Sequence, residues 1–142
     1  MSDVEMMKLY SGRILELASD IPHLGRLPAP MATVRKRAPL CGSVVTVDLV
    51  MQGGRVTEFA QDVKACALGQ AAAAIVGRVV IGRTAAELQT GRDGLRAMLA
   101  GGAVPPAPFD GFAALEPARD FRNRHASILL AIEAVAEAAE TQ

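Results

Sequence analysis

The stretch that decides the fold is Cys41-Gly-Ser-Val-Val-Thr-Val-Asp-Leu-Val-Met-Gln-Gly-Gly-Arg-Val-Thr-Glu-Phe-Ala-Gln-Asp-Val-Lys-Ala-Cys66. Its first half is rich in β-branched residues and its second half less so, and both compositions favour strands. Gly53 and Gly54 separate the halves, and a Gly-Gly pair is typical of the two-residue turns that close antiparallel hairpins. The stretch therefore predicts a β-hairpin with a cysteine at each end.

These two cysteines are the only ones in the chain. In a regular hairpin centred on Gly53 and Gly54, Cys41 faces Cys66 with Cβ atoms about 4.5–5.5 Å apart, and a bulge would shift this register by one residue. Two thiols at that distance suit a metal ion, a cluster or a disulfide. The alternative is a pair of buried, inert cysteines, which are common in protein cores.

Composition narrows the class of protein. The length of 142 residues predicts a single domain over 1–142. Lys and Arg balance Asp and Glu at 15 each, and aromatic residues make up 4% without any Trp, so nothing favours nucleic-acid binding. Gln70 and Arg78 interrupt the most apolar stretch, which argues against a membrane span. Without a secretory signal pattern, we expect a cytoplasmic protein.

The segments before the hairpin predict a helix and an edge strand. Apolar residues at helical spacing indicate a first helix over 3–19, which the capping box Ser2-Asp-Val-Glu5 would begin. The alternating segment from Ala32 to Ala38 precedes a proline and predicts an edge strand. With the hairpin, this makes three strands.

The segments after the hairpin predict helices. One is expected over 66–81, and another begins at Thr84 with a second capping box and stops at Gly101-Gly102, with Gly91 and Gly94 as candidate breaks. An amphipathic helix begins near His125. A helix, three strands and then helices predict an α+β domain, in which helices pack on one face of a small antiparallel sheet.

The candidate site combines both cysteines with one histidine. Cys66 is expected where the second hairpin strand meets a helix, and a helix N-terminus favours the metal-binding thiolate, so Cys66 is predicted to be the more reactive thiol. Cys41 starts the partner strand beside Gly42, and His125 is the third candidate ligand. The chain has no dinucleotide fingerprint, P-loop or nucleophile elbow, so we expect a binding protein and not an enzyme.

Three short blocks carry a family resemblance. They are Leu40-Cys41-Gly42-Ser43, then Lys64-Ala65-Cys66-Ala67 about 25 residues later, and finally His125-Ala126-Ser127-Ile128-Leu129. Their order and spacing resemble the signature blocks of iron–sulfur cluster scaffold proteins of the NifU N-terminal, IscU and SufU family. The resemblance covers most of the chain and implies three antiparallel strands, as the residue pattern also predicts.

The resemblance implies a function in iron–sulfur cluster assembly. It makes Cys41, Cys66 and His125 the residues that hold iron or a [2Fe–2S] cluster, and it names a cysteine desulfurase and apo iron–sulfur acceptor proteins as partners. Such a cluster takes four protein ligands. The fourth ligand would come from solvent, a partner or a second subunit, and two chains meeting at the site as a homodimer would supply four thiolates.

The departures from the family pattern leave alternatives open. Ser43 stands where the family has an Asp, Ala65 replaces a Gly, and Ala126 stands where the family has its third Cys, the residue associated with accepting sulfur. The chain is then a cluster scaffold, a zinc-binding relative with an open Cys₂His site, or an interaction domain that docks on partners without metal. A redox switch through a Cys41–Cys66 disulfide is a further alternative.

Overall fold

The computed structural model describes residues 10–141, which form one antiparallel sheet covered by helices. Helices α1–α4 span Gly12–Ala18, Ala67–Val79, Ala85–Leu99 and His125–Glu140; strands β1–β3 span Ala32–Arg37, Val44–Gln52 and Arg55–Lys64; 3-10 segments cover Phe109–Asp120 and Arg122–Arg124. The strand order is β1-β2-β3, and β1 is an edge strand as predicted. Helix α4 packs against β1 and β2, while α2 and α3 pack against α4. The predicted α+β fold is confirmed.

The hairpin of β2 and β3 turns where the sequence predicts. Gly53 and Gly54 take φ values of 60° and 78°, which a type I′ turn requires. The register then slips by one residue, because Val50 pairs with Glu58 while Met51 pairs with Val56. The intervening Thr57 is the extra residue of a β-bulge.

The bulge changes what lies at the open end of the hairpin. The last pair of the ladder is Val44 opposite Lys64, and neither cysteine belongs to a strand. The prediction that Cys41 faces Cys66 across the ladder is therefore wrong. The extra residue in β3 shifts the pairing, and both strands end before they reach the cysteines.

Helix α1 is shorter than predicted. Ser11 is its N-cap, and the Ser11 hydroxyl accepts a hydrogen bond from the Ile14 N–H at 3.4 Å. The prediction of a single helix over 3–19 is therefore wrong, because a helix begins at Gly12. The capping box expected at Ser2 to Glu5 lies outside the described residues.

Helix α3 begins at the predicted capping box and ends at Leu99, just before the predicted stop at Gly101-Gly102. The Thr84 hydroxyl accepts from the Glu87 N–H at 3.1 Å, and the Glu87 carboxylate accepts from the Thr84 N–H at 3.2 Å. The helix does not break at Gly91 or Gly94. A Cβ atom at Gly91 would lie 2.8 Å from the Phe109 ring, so this glycine allows the ring to pack on the helix.

The core lies between the sheet and the helices. Its largest fully buried side chains are Ile14, Leu17, Leu49, Leu68, Leu88, Leu95, Met98, Phe112, Leu115, Ile128 and Ile132. Alanines cover the facing sides of α2 and α4, which lets the two backbones approach closely. Across residues 10–141, no helix combines the length and the apolar character needed to cross a bilayer.

The other face of the sheet carries a fully buried carboxylate, Asp48. It accepts two hydrogen bonds from Arg26 at 2.6 and 3.1 Å, one from the Thr33 hydroxyl at 2.6 Å and one from the Leu27 N–H at 3.0 Å. Burial raises the pKa of Asp48, but these hydrogen bonds outweigh burial and hold the pKa below its ordinary value. The carboxylate ties the segment before β1 to the sheet.

Candidate functional site

The turn between β1 and β2 presents Cys41. Two backbone hydrogen bonds close the turn, from the Ala38 N–H to the Ser43 carbonyl at 2.8 Å and from the Gly42 N–H to the Ala38 carbonyl at 3.0 Å. Gly42 takes a φ of 73°, which residues with a Cβ atom rarely adopt. Cys41 is consequently exposed, whereas Ser43 points inward and is 4% exposed.

Cys66 approaches the site from the start of α2, where it is the N-cap residue. Its carbonyl accepts a hydrogen bond from the Gln70 N–H at 2.9 Å, and the Gln70 amide donates to the Ala65 carbonyl at 3.0 Å. The Cys66 side chain makes no capping hydrogen bond. Its half-buried thiol instead contacts α4.

Ser127, on the first turn of α4, lies between the two cysteines. Its hydroxyl is 3.5 Å from Cys66 Sγ and donates a hydrogen bond to Ser43 Oγ at 3.0 Å. The residue is 1% exposed. Gly69 of α2 makes room for it, because a Cβ atom there would lie 2.6 Å from Ser127 Oγ.

Four side chains therefore form one continuous hydrogen-bonded group, which we call the thiol–serine cluster: Cys41, Ser43, Ser127 and Cys66. The Cys41 thiol completes it by donating to Ser43 Oγ at 3.2 Å. Two serine hydroxyls, and not strand pairing, link the two cysteines. The cluster draws on the β1–β2 turn, the start of α2 and the start of α4.

The surroundings of Cys41 favour its thiolate. The Ser43 hydroxyl and then the Ser43 backbone N–H lower the pKa of the Cys41 thiol, because both can donate hydrogen bonds to the charged sulfur. Cys41 is also the exposed cysteine. Two observations thus favour Cys41 as the reactive thiol, against the helix-terminus argument for Cys66, which stays a prediction.

His125 lies in a different environment from the cysteines. Its Nε2 is 3.0 Å from the Ala118 carbonyl. Because a carbonyl oxygen can only accept, Nε2 carries the hydrogen, and Nδ1 is the ring nitrogen left for a metal. The ring lines a cavity of about 810 Å³, together with the arginine side chains of Arg96, Arg119 and Arg122.

The three predicted ligands are consequently not assembled. Within residues 10–141, no three His, Cys, Asp or Glu side chains lie close enough together to hold a metal ion. The structure joins Cys41 to Cys66 through the serines and places the His125 ring against the 3-10 segment. A role for all three as ligands remains a prediction.

Ala126, at the position of the family's third cysteine, is exposed on the first turn of α4. A thiol at this position would therefore face solvent. The neighbouring Ser127 points into the protein instead, since successive residues of a helix point about 100° apart.

Ser127 is the site residue that sequence reasoning missed, and Ser43 was considered only as the residue that replaces the family's Asp. A signal for Ser127 was present. It shares the buried face of α4 with Leu130, Ala131 and Ala134, at the i, i+3, i+4 and i+7 spacing of an apolar stripe. A single hydroxyl on such a stripe needs a buried partner.

Solved structures share this arrangement of elements. A NifU-like protein (N-terminal) from Brucella abortus, described as nitrogen-fixing, is 44% identical, with a TM-score of 0.93 over 97% of this chain and 99% of that chain. The chain belongs to the NifU-like family. The match confirms the resemblance found in the three sequence blocks, and it extends over almost all of the chain.

Two further solved structures share the fold at lower identity. A candidate iron–sulfur cluster assembly scaffold protein for the SUF system from Fervidobacterium islandicum is 18% identical, with a TM-score of 0.83 over 94% of this chain and 98% of that chain. A hypothetical protein is 20% identical, with a TM-score of 0.79 over the same shares. No protein-family model matches the chain, and no curated protein does.

Proposed function

We propose that this protein is a scaffold or carrier in iron–sulfur cluster assembly and that the thiol–serine cluster is where it holds iron or a cluster. The observation that carries the proposal is the convergence of Cys41 and Cys66 from different elements of a NifU-like fold. The Fervidobacterium protein with the same fold is itself a candidate scaffold of the SUF system.

The chemistry of the donor atoms fits this cargo. Thiolates are soft ligands that favour iron, zinc and cuprous copper. One chain offers two of the four protein ligands of a [2Fe–2S] cluster, so two chains meeting at this end of the sheet would supply all four as thiolates. Leu40 supports such a contact, because it is 90% exposed beside Cys41 and covering an apolar side chain is favourable.

A carrier binds and releases cargo, so we propose no enzymatic activity for this chain. Its partners would be a cysteine desulfurase, which supplies sulfur, and apo iron–sulfur acceptor proteins, which receive the cluster. The open position of Cys41 on a surface turn suits transfer between proteins. We propose that the chain acts in the cytoplasm and that 1–142 works as a single domain.

A zinc-binding relative is the second candidate. Two thiolates with oxygen donors suit a tetrahedral zinc ion that keeps one position open. The observation that favours zinc is the neighbourhood of Ser43 and Ser127, whose hydroxyls lie within 3.5 Å of the two sulfurs. Zinc accepts such mixed sulfur and oxygen shells, whereas a cluster favours four thiolates.

Metal and acid-labile sulfide content of protein purified under nitrogen tests the proposal, followed by reconstitution with ferrous iron and sulfide. We expect a visible sulfur-to-iron charge-transfer band in the wild type and its loss in Cys41→Ser and Cys66→Ser. His23→Asn is the matched control, because His23 takes a φ of 60°, which asparagine tolerates, and its ring contacts Phe59.

The outcomes separate the candidates. A band that depends on both cysteines and survives in His23→Asn supports the scaffold. Stoichiometric zinc without sulfide, together with no band after reconstitution, would contradict the scaffold function and support a zinc-binding relative. If the protein holds no metal under any condition, the remaining candidate is an interaction domain that docks on partners without metal.

A further inference from the structure

We propose that the sheet face turned away from α4 carries a docking surface for an acidic protein partner, at the end that leads to Cys41. The surface consists of Arg35 and Arg37 of β1 and Lys64 of β3, which we call the cationic patch, together with Leu40 of the β1–β2 turn. Its evidence is charge and exposure. The surface therefore goes beyond the proposed function and does not depend on which cargo the chain carries.

Strand pairing brings the three cations together. Arg37 pairs with Val44, and Val44 pairs with Lys64, so one row of side chains across the sheet begins and ends with a cation. Arg35 stands two residues before Arg37, about 7 Å away along the strand and on the same face. Lys64 lies two strands from Arg37, or about 10 Å away. One partner surface can therefore contact all three side chains.

The cationic patch points away from the helices and into solvent. Lys36, between the two arginines, points the other way, since its ammonium pairs with Glu137 of α4 at 3.0 Å. Successive side chains of a strand alternate between the two faces. Both arginines consequently share the face that carries Asp48 and, like Lys64, they are exposed.

No carboxylate of residues 10–141 forms a salt bridge with the cationic patch. Asp62 is the one acid in the same two rows, because it pairs with Thr46, which faces Arg35. Three cations against one carboxylate leave an excess of positive charge, although Lys and Arg balance Asp and Glu over the whole chain. Like charges repel, and an acidic surface that covers them removes the repulsion.

Leu40 adds an apolar contact to the surface. The residue is 90% exposed in the turn that follows Arg37, and it precedes Cys41 directly. Protein interfaces commonly bury apolar side chains inside a rim of polar and charged ones. A partner that carries acidic residues around an apolar hollow therefore fits this surface, and its docking would bring the partner close to the Cys41 thiol.

A second copy of this chain does not fit the cationic patch. A symmetric dimer through this face would cover Leu40, but it would also place the cations of one copy against those of the other, and like charges across an interface are unfavourable. The other explanation of Arg35 and Arg37 is protection of an edge strand against aggregation. A charge of either sign gives that protection, whereas docking of an acidic partner needs positive charge.

An NMR titration of the isotope-labelled full chain with a synthetic acidic peptide tests the surface. The probe is a short capped peptide of Glu, Asp and Gly around one central Phe, and matched peptides replace the Phe by Gly or the acids by Lys. A chelator keeps the protein free of metal. We expect amide shifts at the cationic patch and at Leu40. Binding should weaken as salt rises from about 0.01 to about 0.15 M, because the Debye length falls from about 30 Å to about 8 Å.

Charge reversal separates docking from edge protection. Arg37→Glu and Lys64→Glu should each weaken peptide binding by about two- to fivefold, and the double variant by about tenfold or more. Arg13→Glu is the matched control, because it makes the same charge change at an exposed arginine of α1 that pairs with Glu16. This control should bind like the wild type. Circular dichroism confirms that each variant folds.

The apolar contact has a separate test. Leu40→Ala should weaken binding of the Phe peptide by about two- to fivefold and leave binding of the Gly peptide unchanged, because only the Phe ring loses its neighbour. Leu15→Ala, at an exposed leucine of α1, is the control. If Leu40→Ala binds both peptides like the wild type, Leu40 is not part of the surface.

Three results would overturn the docking surface. They are amide shifts at the cavity lined by Arg96, Arg119 and Arg122 in place of the cationic patch, equal binding by the double variant and Arg13→Glu, and equal binding of the Lys peptide. Concentration-dependent shifts at the patch without peptide would assign the face to a second copy and overturn it too. Because the protein is free of metal, failure here leaves the proposed function standing, and a missing charge-transfer band leaves the docking surface standing.

Discussion

This protein has a hydrogen-bonded group on one face of the sheet and another at the end of the sheet, and the two groups differ in charge and in exposure. Around Asp48, a fully buried carboxylate receives four hydrogen bonds, two of them from Arg26. In the thiol–serine cluster, hydrogen bonds link thiols and hydroxyls, and one end, Cys41, is open to solvent.

The difference teaches what each group can do. The Asp48 carboxylate has its charge paired and its acceptor sites filled, so it can gain nothing from a further ligand and acts on stability. The thiol–serine cluster keeps one exposed thiol, Cys41, where the proposed function places the entry of iron or a cluster. The following predictions test this contrast, from the largest expected effect to the smallest.

Asp48→Asn should lower the free energy of unfolding by about 2–3 kcal/mol, because an amide replaces a charged acceptor of several hydrogen bonds. Urea unfolding measures the loss. Metal binding by the refolded variant should equal that of the wild type. Asp62→Asn is the control, since Asp62 is exposed on β3, and its change should stay below about 0.5 kcal/mol. Equal stabilities of the two variants would contradict the role assigned to Asp48.

Gly69→Ala should cost about 1–3 kcal/mol by overpacking and should also disturb metal binding. The new Cβ atom would lie 2.6 Å from Ser127 Oγ and 2.8 Å from the Ala65 Cβ atom. Gly12→Ala is the matched control, because nothing lies within 4 Å of a Cβ atom there. Thermal unfolding and Co²⁺ titration of both variants check the expectation, and a Gly69→Ala protein that binds like the wild type would disprove it.

Acid should weaken the wild type more than Asp48→Asn. The pKa of Asp48 is lower in the folded chain than in the unfolded chain, where it is near 3.9. The carboxylate therefore adds its full stability above that value and loses it as the pH falls through the folded pKa. Urea midpoints measured from pH 7 to the acid limit should converge for the two proteins. Parallel curves would mean that another group causes the acid sensitivity.

Ser43→Ala should raise the pKa of the Cys41 thiol and slow its alkylation at neutral pH by less than about tenfold, because the Ser43 backbone N–H still favours the thiolate. The measurement is the rate of iodoacetamide reaction against pH in a Cys66→Ser background, so that only Cys41 reports. Ser19→Ala is the control. A pH profile that does not move would show that the Ser43 hydroxyl does not act on Cys41.

Local patterns predicted most of the fold because their causes are local. The Gly53-Gly54 turn needs only glycine's access to positive φ, and the Thr84 capping box needs only residues three positions apart. The bulge at Thr57 was not predicted, since its cause lies in how two strands pair. The continuity of α3 was not predicted for a similar reason. The Phe109 ring, which is distant in sequence, packs against Gly91 of the helix.

By itself, the sequence determined the elements, the family and the presence of two cysteines near one end of the sheet, because turns, caps and apolar periodicity act within a few residues. Only the tertiary structure decided which side chain of the His125–Ser127 segment meets the thiols. Residues two positions apart on a helix point about 200° apart. Burial of the apolar stripe of α4 turns Ser127 inward with it and leaves His125 on the other side.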